Sequence, residues 1–246
     1  MAIALPEAKS SIDKRFISQK FAMIGAAGIG KSEFFAQDEN ALFIEAEAGL
    51  NFLSVYKLPM RDYSDLREIY SALLEAVKAK KFNYSIIVFD TIDRVINCLN
   101  DEVVARAKEF YKKQANEINT IGDIPNGAGW FKAKELMLKT LKSFEQFPCA
   151  LAYIGHLSTK RIKDATLEYD KNTISIGGQM GEELLAWTDH TLYVDATMRG
   201  DKIIRTVYTK PRQSIEAKSR GGVVPDCWQW TNDMRENYLK FRSLFD

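Results

Sequence analysis

Hydrophobic positions in this 246-residue chain form two kinds of pattern. Short continuous apolar runs are typical of strands buried on both faces of a parallel sheet, and apolar positions spaced by three or four residues are typical of amphipathic helices. The first pattern predicts six strands, at residues 21–24, 41–45, 85–90, 150–155, 190–196 and 202–209. The second predicts helices at residues 64–80, 92–113 and 129–147, with a further helix starting at 32–37.

Alternating strands and helices predict an α/β domain with a mainly parallel central sheet, helices on both faces, and ligands bound at the carboxyl ends of the strands. The final third is richer in β patterns, which predicts an antiparallel extension. Alternation at 165–169 and 173–176, around 170–172, predicts a hairpin. We expect a lead-in at 1–19, a core domain at 20–230, and a tail at 231–246 that packs on its own domain or on a neighbour.

Composition narrows the class of protein. Hydrophobic residues make up 46% of the chain, charged residues 27%, and the formal net charge is +1. Such a chain has no overall basic field, so any contact with DNA must come from a local patch. Three widely separated cysteines and two histidines argue against a structural zinc site and suit a reducing cytosol. No segment predicts a membrane span or a signal peptide, so we expect a cytoplasmic protein.

The clearest chemical signal is the run Gly-Ala-Ala-Gly-Ile-Gly-Lys-Ser at residues 25–32, a full match to the phosphate-binding pattern G-x-x-x-x-G-K-[ST]. A predicted strand precedes it and a predicted helix follows, so backbone N–H groups and a helix N-terminus would surround a phosphate. Lys31 supplies a charge for the β- and γ-phosphates, and Ser32 a hydroxyl for Mg²⁺. The predicted ATP-binding residues are Gly25, Ala26, Ala27, Gly28, Ile29, Gly30, Lys31 and Ser32.

Acidic residues at the ends of two predicted strands are candidates for metal binding and hydrolysis. Asp90 ends an apolar run, the position at which proteins with a phosphate-binding loop place an acidic Mg²⁺ ligand. Alternatively, Asp90 could be the N-cap of the next helix. Asp93 is a weaker substitute. Glu45 and Glu47 follow the second strand, and either could orient the attacking water. Both would face the same side of an extended chain, so the pattern leaves this choice open.

Three other polar residues are candidates for contact with a γ-phosphate. His156 follows the apolar run 150–155, and a histidine bonded to a turn is the alternative. Lys218 and Arg220 lie one residue apart before a pair of glycines, so both would project to the same side of an extended segment. Two cations at this spacing suit a clamp on a γ-phosphate, and a solvated basic turn is the alternative.

Together these motifs resemble a RecA-like core P-loop ATPase of the phage-encoded recombinase and single-strand-annealing type, over residues 18–228. Residues 42–50 resemble the family's second strand and the turn after it, which implies Glu47 as the acid of hydrolysis. Asp90 matches the family's Walker B acid, and His156 its polar sensor. Lys218-Ser-Arg220-Gly resembles the finger of the replicative-helicase and circadian-clock branch, which implies that both cations complete a neighbouring subunit's site.

The resemblance also implies a function and partners. It implies Mg-ATP hydrolysis in DNA recombination or single-strand annealing by a homo-oligomer, ring or filament, in the host-cell cytoplasm if the gene is a phage gene. Single-stranded DNA is the expected ligand, a single-strand-binding protein is a further candidate partner, and no membrane is expected. In RecA-like proteins the loop after the sensor contacts DNA, which implies contacts by Lys160, Arg161 and Lys163; an ordinary solvated hairpin is the alternative. Residues 116–128, with Trp130 after them, are the candidate for a second DNA loop.

Two other functions stay open at this point. The finger residues would also suit a hexameric replicative-type helicase or DNA-loading motor. The near-zero net charge would also suit a nucleotide-gated interaction protein with little hydrolysis.

Overall fold

The computed structural model of the protein describes residues 5, 8, 9, 11–163 and 167–245. The strands are β1 (Lys20–Gly25), β2 (Ala41–Glu45), β3 (Tyr56–Pro59), β4 (Ile86–Asp90), β5 (Ala150–Lys163), β6 (Glu168–Ile174), β7 (His190–Arg199), β8 (Lys202–Tyr208), β9 (Lys218–Ser219) and β10 (Cys227–Gln229). The α-helices are α1 (Lys31–Phe35), α2 (Tyr63–Lys78), α3 (Ile92–Phe110), α4 (Ala128–Ser143), α5 (Gly178–Trp187) and α6 (Met234–Arg242). Short 3₁₀ helices lie at Phe16–Ser18, Leu50–Phe52, Lys112–Glu117, Ile121–Asp123, Pro125–Gly127 and Phe144–Gln146.

A single sheet runs through the molecule in the strand order β10-β8-β7-β1-β5-β4-β2-β3. The six strands from β7 to β3 in this order pair in parallel. Strands β8, β9 and β10 add an antiparallel extension. The interior strands β1 and β4 are buried along almost their whole length, which explains their unbroken apolar runs.

Helices cover both faces of the sheet, because alternate residues of each strand supply separate apolar cores. In β4, Ile87 and Phe89 belong to the core under α2, α3, α4 and α5. Ile86 and Val88 belong to the core under α1, α6 and the 3₁₀ helix Phe16–Ser18. The predicted fold class is confirmed as an α/β core with a mainly parallel central sheet, helices on both faces and antiparallel C-terminal strands.

The tail packs on its own domain. Trp230, directly before the tail, stacks on Phe34 of α1 with ring centroids 5.2 Å apart, and Tyr238 and Phe241 of α6 meet the same ring edge-on. The Tyr238 hydroxyl donates to the Asp38 carboxylate, just after α1. The tail thus buries the helix that follows the glycine-rich loop.

The hairpin differs from its prediction. Strand β5 continues past residue 155 to Lys163 and pairs with β6 over seven positions, from Leu157 with Ile174 outward. The turn predicted at 170–172 is wrong, because these residues lie inside β6 and pair with β5. Residues 165 and 166 of the predicted first arm lie outside the described part of the chain. Continuous cross-strand pairing outweighs the turn preference of aspartate and asparagine.

Other differences are smaller. Helices α3 and α4 end at Phe110 and Ser143, three and four residues before their predicted ends, and each leads into a 3₁₀ helix. Strand β3 and helix α5 were not predicted. Helix α5 contains two glycines, which have low helix propensity, so its sequence did not predict a helix. A Cβ on one of them, Gly181, would lie 3.1 Å from the Ile176 carbonyl oxygen. Among the described residues, no helix is both long and apolar enough to cross a membrane.

Candidate nucleotide site

The loop at residues 25–32 joins β1 to α1 at the carboxyl edge of the parallel strands. Gly28 and Gly30 have φ angles of +73° and +104°, a region that other residues rarely adopt. Gly25 must be small for a different reason, since a Cβ there would lie 2.8 Å from the Val194 carbonyl oxygen on β7. These glycines give the loop the curvature with which backbone N–H groups surround a phosphate.

Lys31, the first residue of α1, is buried beneath the loop. Its Nζ donates to the carbonyl oxygens of Gly25 and Ala26, both at 2.9 Å. Burial lowers the pKa of Lys31, and nearby carboxylates, chiefly Asp90, oppose that effect. A bound polyphosphate would favour the ammonium further.

Asp90, the last residue of β4, meets the start of α1. Ser32 Oγ donates to Asp90 Oδ2 at 2.6 Å, and Asp90 is 6% exposed. Burial raises the pKa of Asp90, while the Ser32 hydrogen bond and the Lys31 charge act in the opposite direction. Helix α3 takes Thr91 as its N-cap. Asp90 is therefore not the cap, which removes the alternative interpretation of this residue.

The oxygens of Ser32 and Asp90 fit a magnesium ion. Mg²⁺ prefers hard oxygen ligands and is usually held by one or two protein groups together with phosphate and water oxygens. A buried carboxylate with a raised pKa is a group whose charge a cation would stabilise. The described residues contain no cluster of three or more Asp, Glu, His or Cys side chains that could hold a metal. Binding here would therefore depend on nucleotide phosphates.

The structure separates the two candidate glutamates. Glu45 is tied to Lys57, with Nζ to Oε1 at 3.2 Å, and also accepts from the Leu50 N–H. Glu47 lies beyond the end of β2, where its N–H and that of Ala46 both donate to the Asp90 carbonyl oxygen, at 3.3 and 2.8 Å. Both glutamates thus lie next to the end of β4, where Glu45 is the register partner of Asp90, but their side chains have different partners: Glu45 meets Lys57, and Glu47 lies beside His156.

His156 lies beside Glu47. Its Nε2 is 3.8 Å from Glu47 Oε2, and its Nδ1 is 2.8 Å from Asp93 Oδ2. Asp93 also accepts from the His156 N–H at 3.2 Å. His156 is the last residue of β5 that pairs with β1, and its register partner is Gly25, the first residue of the loop. Asp93, considered as a substitute metal ligand, instead orients this histidine.

Two residues near Glu47 were missed by the sequence analysis. Thr91 Oγ1 and Arg94 Nε both donate to Glu47 Oε2 at 3.4 Å. They lie three residues apart at the start of α3, so the same face of the helix presents both. That spacing was visible in the sequence, but its target on the turn after β2 was not.

Lys218 and Arg220 lie far from this cluster in the same chain. Both donate to the Ala186 carbonyl oxygen at the end of α5, Lys218 at 3.1 Å and Arg220 at 2.7 Å. They therefore project to one side, as predicted. Thr191, the register partner of Lys218, stands opposite Ala22 of β1. Ala22 precedes the first loop residue, Gly25, by three residues, or about 10 Å along the strand direction. Lys218 and Arg220 therefore cannot contact a phosphate bound to the loop of their own chain.

Lys160, Arg161 and Lys163 lie on the outer half of β5, and each has an acidic neighbour. Arg161 Nε and Lys163 Nζ lie 2.8 and 3.1 Å from Glu168 on β6. Lys160 Nζ lies 3.9 Å from Glu182 on α5. The hairpin thus presents these cations as ion pairs, which phosphate groups would have to displace. Trp130, at the other candidate DNA segment, is 48% exposed.

Comparison with known proteins gives three results. A family model described as AAA domain matches residues 17–221. Among solved structures, the KaiC-like protein PH0186 from the hyperthermophilic archaeon Pyrococcus horikoshii OT3 aligns with a TM-score of 0.46 and 10% sequence identity, over 89% of this chain and 88% of that chain. No curated protein matches this chain.

Proposed function

This chain belongs to the AAA domain family, and we propose that it is a Mg-ATP-dependent, DNA-binding ATPase of the phage recombinase and single-strand-annealing type. It acts in DNA recombination or single-strand annealing. The observation that carries the proposal is the convergence of the glycine-rich loop, the Ser32–Asp90 pair and the Glu47–His156 pair at one edge of the sheet. A P-loop fold implies nucleotide binding, and these side chains are the ones that hydrolysis needs.

Each side chain has a distinct task in this proposal. The loop N–H groups and Lys31 bind and orient the β- and γ-phosphates. Glu47 accepts a hydrogen bond, or the proton, from the water that attacks the γ-phosphate. His156, oriented by Asp93, contacts the γ-phosphate and transmits its presence to the β5–β6 hairpin. Ser32 and Asp90 would hold Mg²⁺, which would supply positive charge to the phosphate oxygens.

The active site is completed by a second copy of the chain. The side chains of Lys218 and Arg220 project together from a level of the sheet that lies before the carboxyl ends of the parallel strands. They are therefore out of reach of their own loop. A head-to-tail arrangement of subunits would bring them to the next subunit's γ-phosphate. There they would exchange the carbonyl oxygen of Ala186 for phosphate oxygens, whose charge a transition state concentrates.

Single-stranded DNA is the proposed ligand of the β5–β6 hairpin. The hairpin begins at His156, so a change at the γ-phosphate can reach Lys160, Arg161 and Lys163 along one strand. Their ion pairs lie on the surface, where such pairs contribute little to stability and exchange readily. Binding would therefore be weak, strongly dependent on salt, and responsive to ATP.

A nucleotide-gated interaction protein with little hydrolysis is the second candidate. The acidic neighbours of Lys160, Arg161 and Lys163 favour it, because they reduce the local positive charge that DNA would need. DNA affinity that stays weak at low salt with ATP present would support this candidate over the first.

Steady-state ATP hydrolysis, with and without single-stranded DNA, tests the proposal. Lys31→Ala and Arg220→Ala should each abolish DNA-stimulated turnover while circular dichroism shows an unchanged fold. Arg199→Ala is the matched control, since Arg199 is exposed and has no ion pair among the described residues.

Mixing the two inactive variants distinguishes a shared site from a local defect. A Lys31→Ala subunit still carries intact finger residues for a neighbouring Arg220→Ala subunit, whose loop is intact. Random mixing in equal amounts should restore about a quarter of the wild-type sites. No recovery on mixing would contradict the shared site, and hydrolysis that is indifferent to DNA would favour the interaction protein.

A further inference from the structure

A groove separate from the nucleotide site lies between α2, α3 and α4. Its volume is about 850 Å³, within the range of small-molecule sites. Its apolar floor is formed by buried residues that include Leu66, Val103, Ala107 and Leu136. None of the loop, Ser32, Asp90, Glu47 or His156 lines it, so the nucleotide chemistry proposed above does not account for it.

The rim of this groove is basic in a chain that is almost neutral overall. Its charged lining residues are Arg67, Arg106, Lys132, Lys139 and the single acid Glu135. Arg106 is paired with Glu102 at 2.7 Å. In the described part of the chain, Arg67, Lys132 and Lys139 have no carboxylate partner within 4.0 Å. The rim therefore favours a negatively charged occupant.

The mouth of the groove also exposes a large apolar side chain. Phe110, at the end of α3, is 79% exposed, although its neighbour Tyr111 contacts it edge-on at 4.8 Å. An apolar floor with an exposed phenylalanine beside it accepts apolar side chains. The occupant must therefore combine acidic groups with apolar anchors, as the amphipathic helices that bind such grooves do.

Apart from the exposed Phe110, the tyrosine rings Tyr63 and Tyr70 at this site are poorly placed for stacking on nucleic acid bases. Tyr70 meets Phe144 edge-on at 5.5 Å and Phe147 at 5.6 Å, so core contacts occupy it. The Arg106 guanidinium lies 5.5 Å from the centre of the Tyr63 ring, on its face. Single-strand binders instead present free aromatic faces to successive bases, which favours a peptide.

From this arrangement we infer that the α2–α3–α4 groove is a docking site for an acidic peptide segment of a partner protein, with apolar anchor side chains directed into the floor. The basic rim sets the sign of the partner's charge, and Phe110 covers one anchor. This site is independent of ATP hydrolysis and of the hairpin that contacts DNA in the proposed function.

The test uses a short fluorescein-labelled peptide with leucines at i, i+3, i+4 and i+7 and glutamates elsewhere. A second peptide has the same leucines and lysines in place of the glutamates. Fluorescence anisotropy on the full chain should show binding of the acidic peptide alone, weakening as salt increases. The double variant Lys132→Glu/Lys139→Glu should weaken it at least about tenfold, and Phe110→Ser should weaken it as well. The matched control Lys80→Glu/Lys81→Glu, on exposed lysines after α2, should bind as wild type does.

Several outcomes would overturn the inference. These are no binding of the acidic peptide at low salt, equal binding of the lysine peptide, or full affinity in the Lys132→Glu/Lys139→Glu variant. Loss of single-stranded DNA binding in that variant, without peptide binding, would make the groove a nucleic acid site instead. ATP hydrolysis is measured in each variant and should stay at the wild-type rate, so failure here is distinguishable from failure of the proposed function.

Discussion

Raising the pH through the titration of Lys218 tests the shared active site. Burial lowers the pKa of Lys218 from its usual 10.5 to about 8, and the nearby Arg220 acts in the same direction. The Nζ donates to the carbonyl oxygens of Leu185 and Ala186 at the end of α5. Lys218 therefore loses its charge in a pH range where arginine stays protonated.

The size of the effect follows from that pKa. With a pKa of about 8, roughly 90% of Lys218 side chains are charged at pH 7 and roughly 10% at pH 9. If only the ammonium acts on a neighbour's γ-phosphate, kcat/KM should fall about tenfold between these values, because it reports ionisation of the free enzyme. The fall in kcat should lie at higher pH, since bound phosphate favours the ammonium.

The same pKa difference has a consequence for stability. Between pH 8 and 10.5 the unfolded chain binds more protons at Lys218 than the folded chain, so the free energy of unfolding rises with pH in this window. The whole difference would be worth about 3 kcal/mol at most. Lys218 is partly exposed, and solvent screening reduces this to about 1–2 kcal/mol.

The assay is steady-state ATP hydrolysis between pH 6.5 and 9.5, with wild type and Lys218→Arg at concentrations that saturate assembly. Arginine keeps its charge throughout, so the decline at alkaline pH should flatten in the variant. A decline that is identical in the two proteins would show that another group titrates. That result would refute the reasoning that Lys218 acts as a cation on a neighbour's nucleotide.

Three further predictions concern individual side chains. Asp90→Asn should raise the thermal unfolding temperature measured without Mg²⁺, because it removes a buried carboxylate whose charged form is destabilised at neutral pH. The same variant should have no ATP turnover. A lowered unfolding temperature would contradict the first expectation. Glu47→Gln should reduce kcat at least about 100-fold while ATP binding is retained. Glu45→Gln should mainly lower the free energy of unfolding, by about 1 kcal/mol, through loss of its ion pair with Lys57. A larger loss of kcat in Glu45→Gln than in Glu47→Gln would assign catalysis to Glu45. Trp230→Ala should cost about 3–5 kcal/mol in urea unfolding, because the side chain is 7% exposed; an unchanged midpoint would show that its stacking is unimportant.

The glycine-rich loop and the buried strands β1, β2 and β4 could be predicted because they depend on contiguous residues. The loop follows directly from its own glycines, with the strand before it and the helix after it. The placement of Asp90 follows from its position at the end of a buried strand. Each of these features is determined by local backbone geometry and by the burial of neighbouring residues.

The residue pattern left the choice between Glu45 and Glu47 open, and the family resemblance alone implied Glu47. The prediction placed both residues on one face of an extended chain, but β2 ends at Glu45 and the chain then turns. The pairing of Glu45 with Lys57 depends on β3, a strand of only four residues whose sequence pattern did not predict a strand. The hairpin turn failed for a related reason, since long-range pairing outweighed local composition at 170–172.

The packing of the tail on α1 has a consequence for protein synthesis. Tyr238 and Asp38 are 200 residues apart in sequence, and Trp230 covers Phe34 from a similar distance. At ribosomal rates of 5–20 residues per second, roughly 10–40 s separate the two partners' emergence. During that interval the nascent chain exposes Phe34, and the helix after its nucleotide loop lacks the packing that holds it. The protein should therefore become competent to bind nucleotide only after release of residues 230–245, and a chaperone that covers aromatic surface would act before that point.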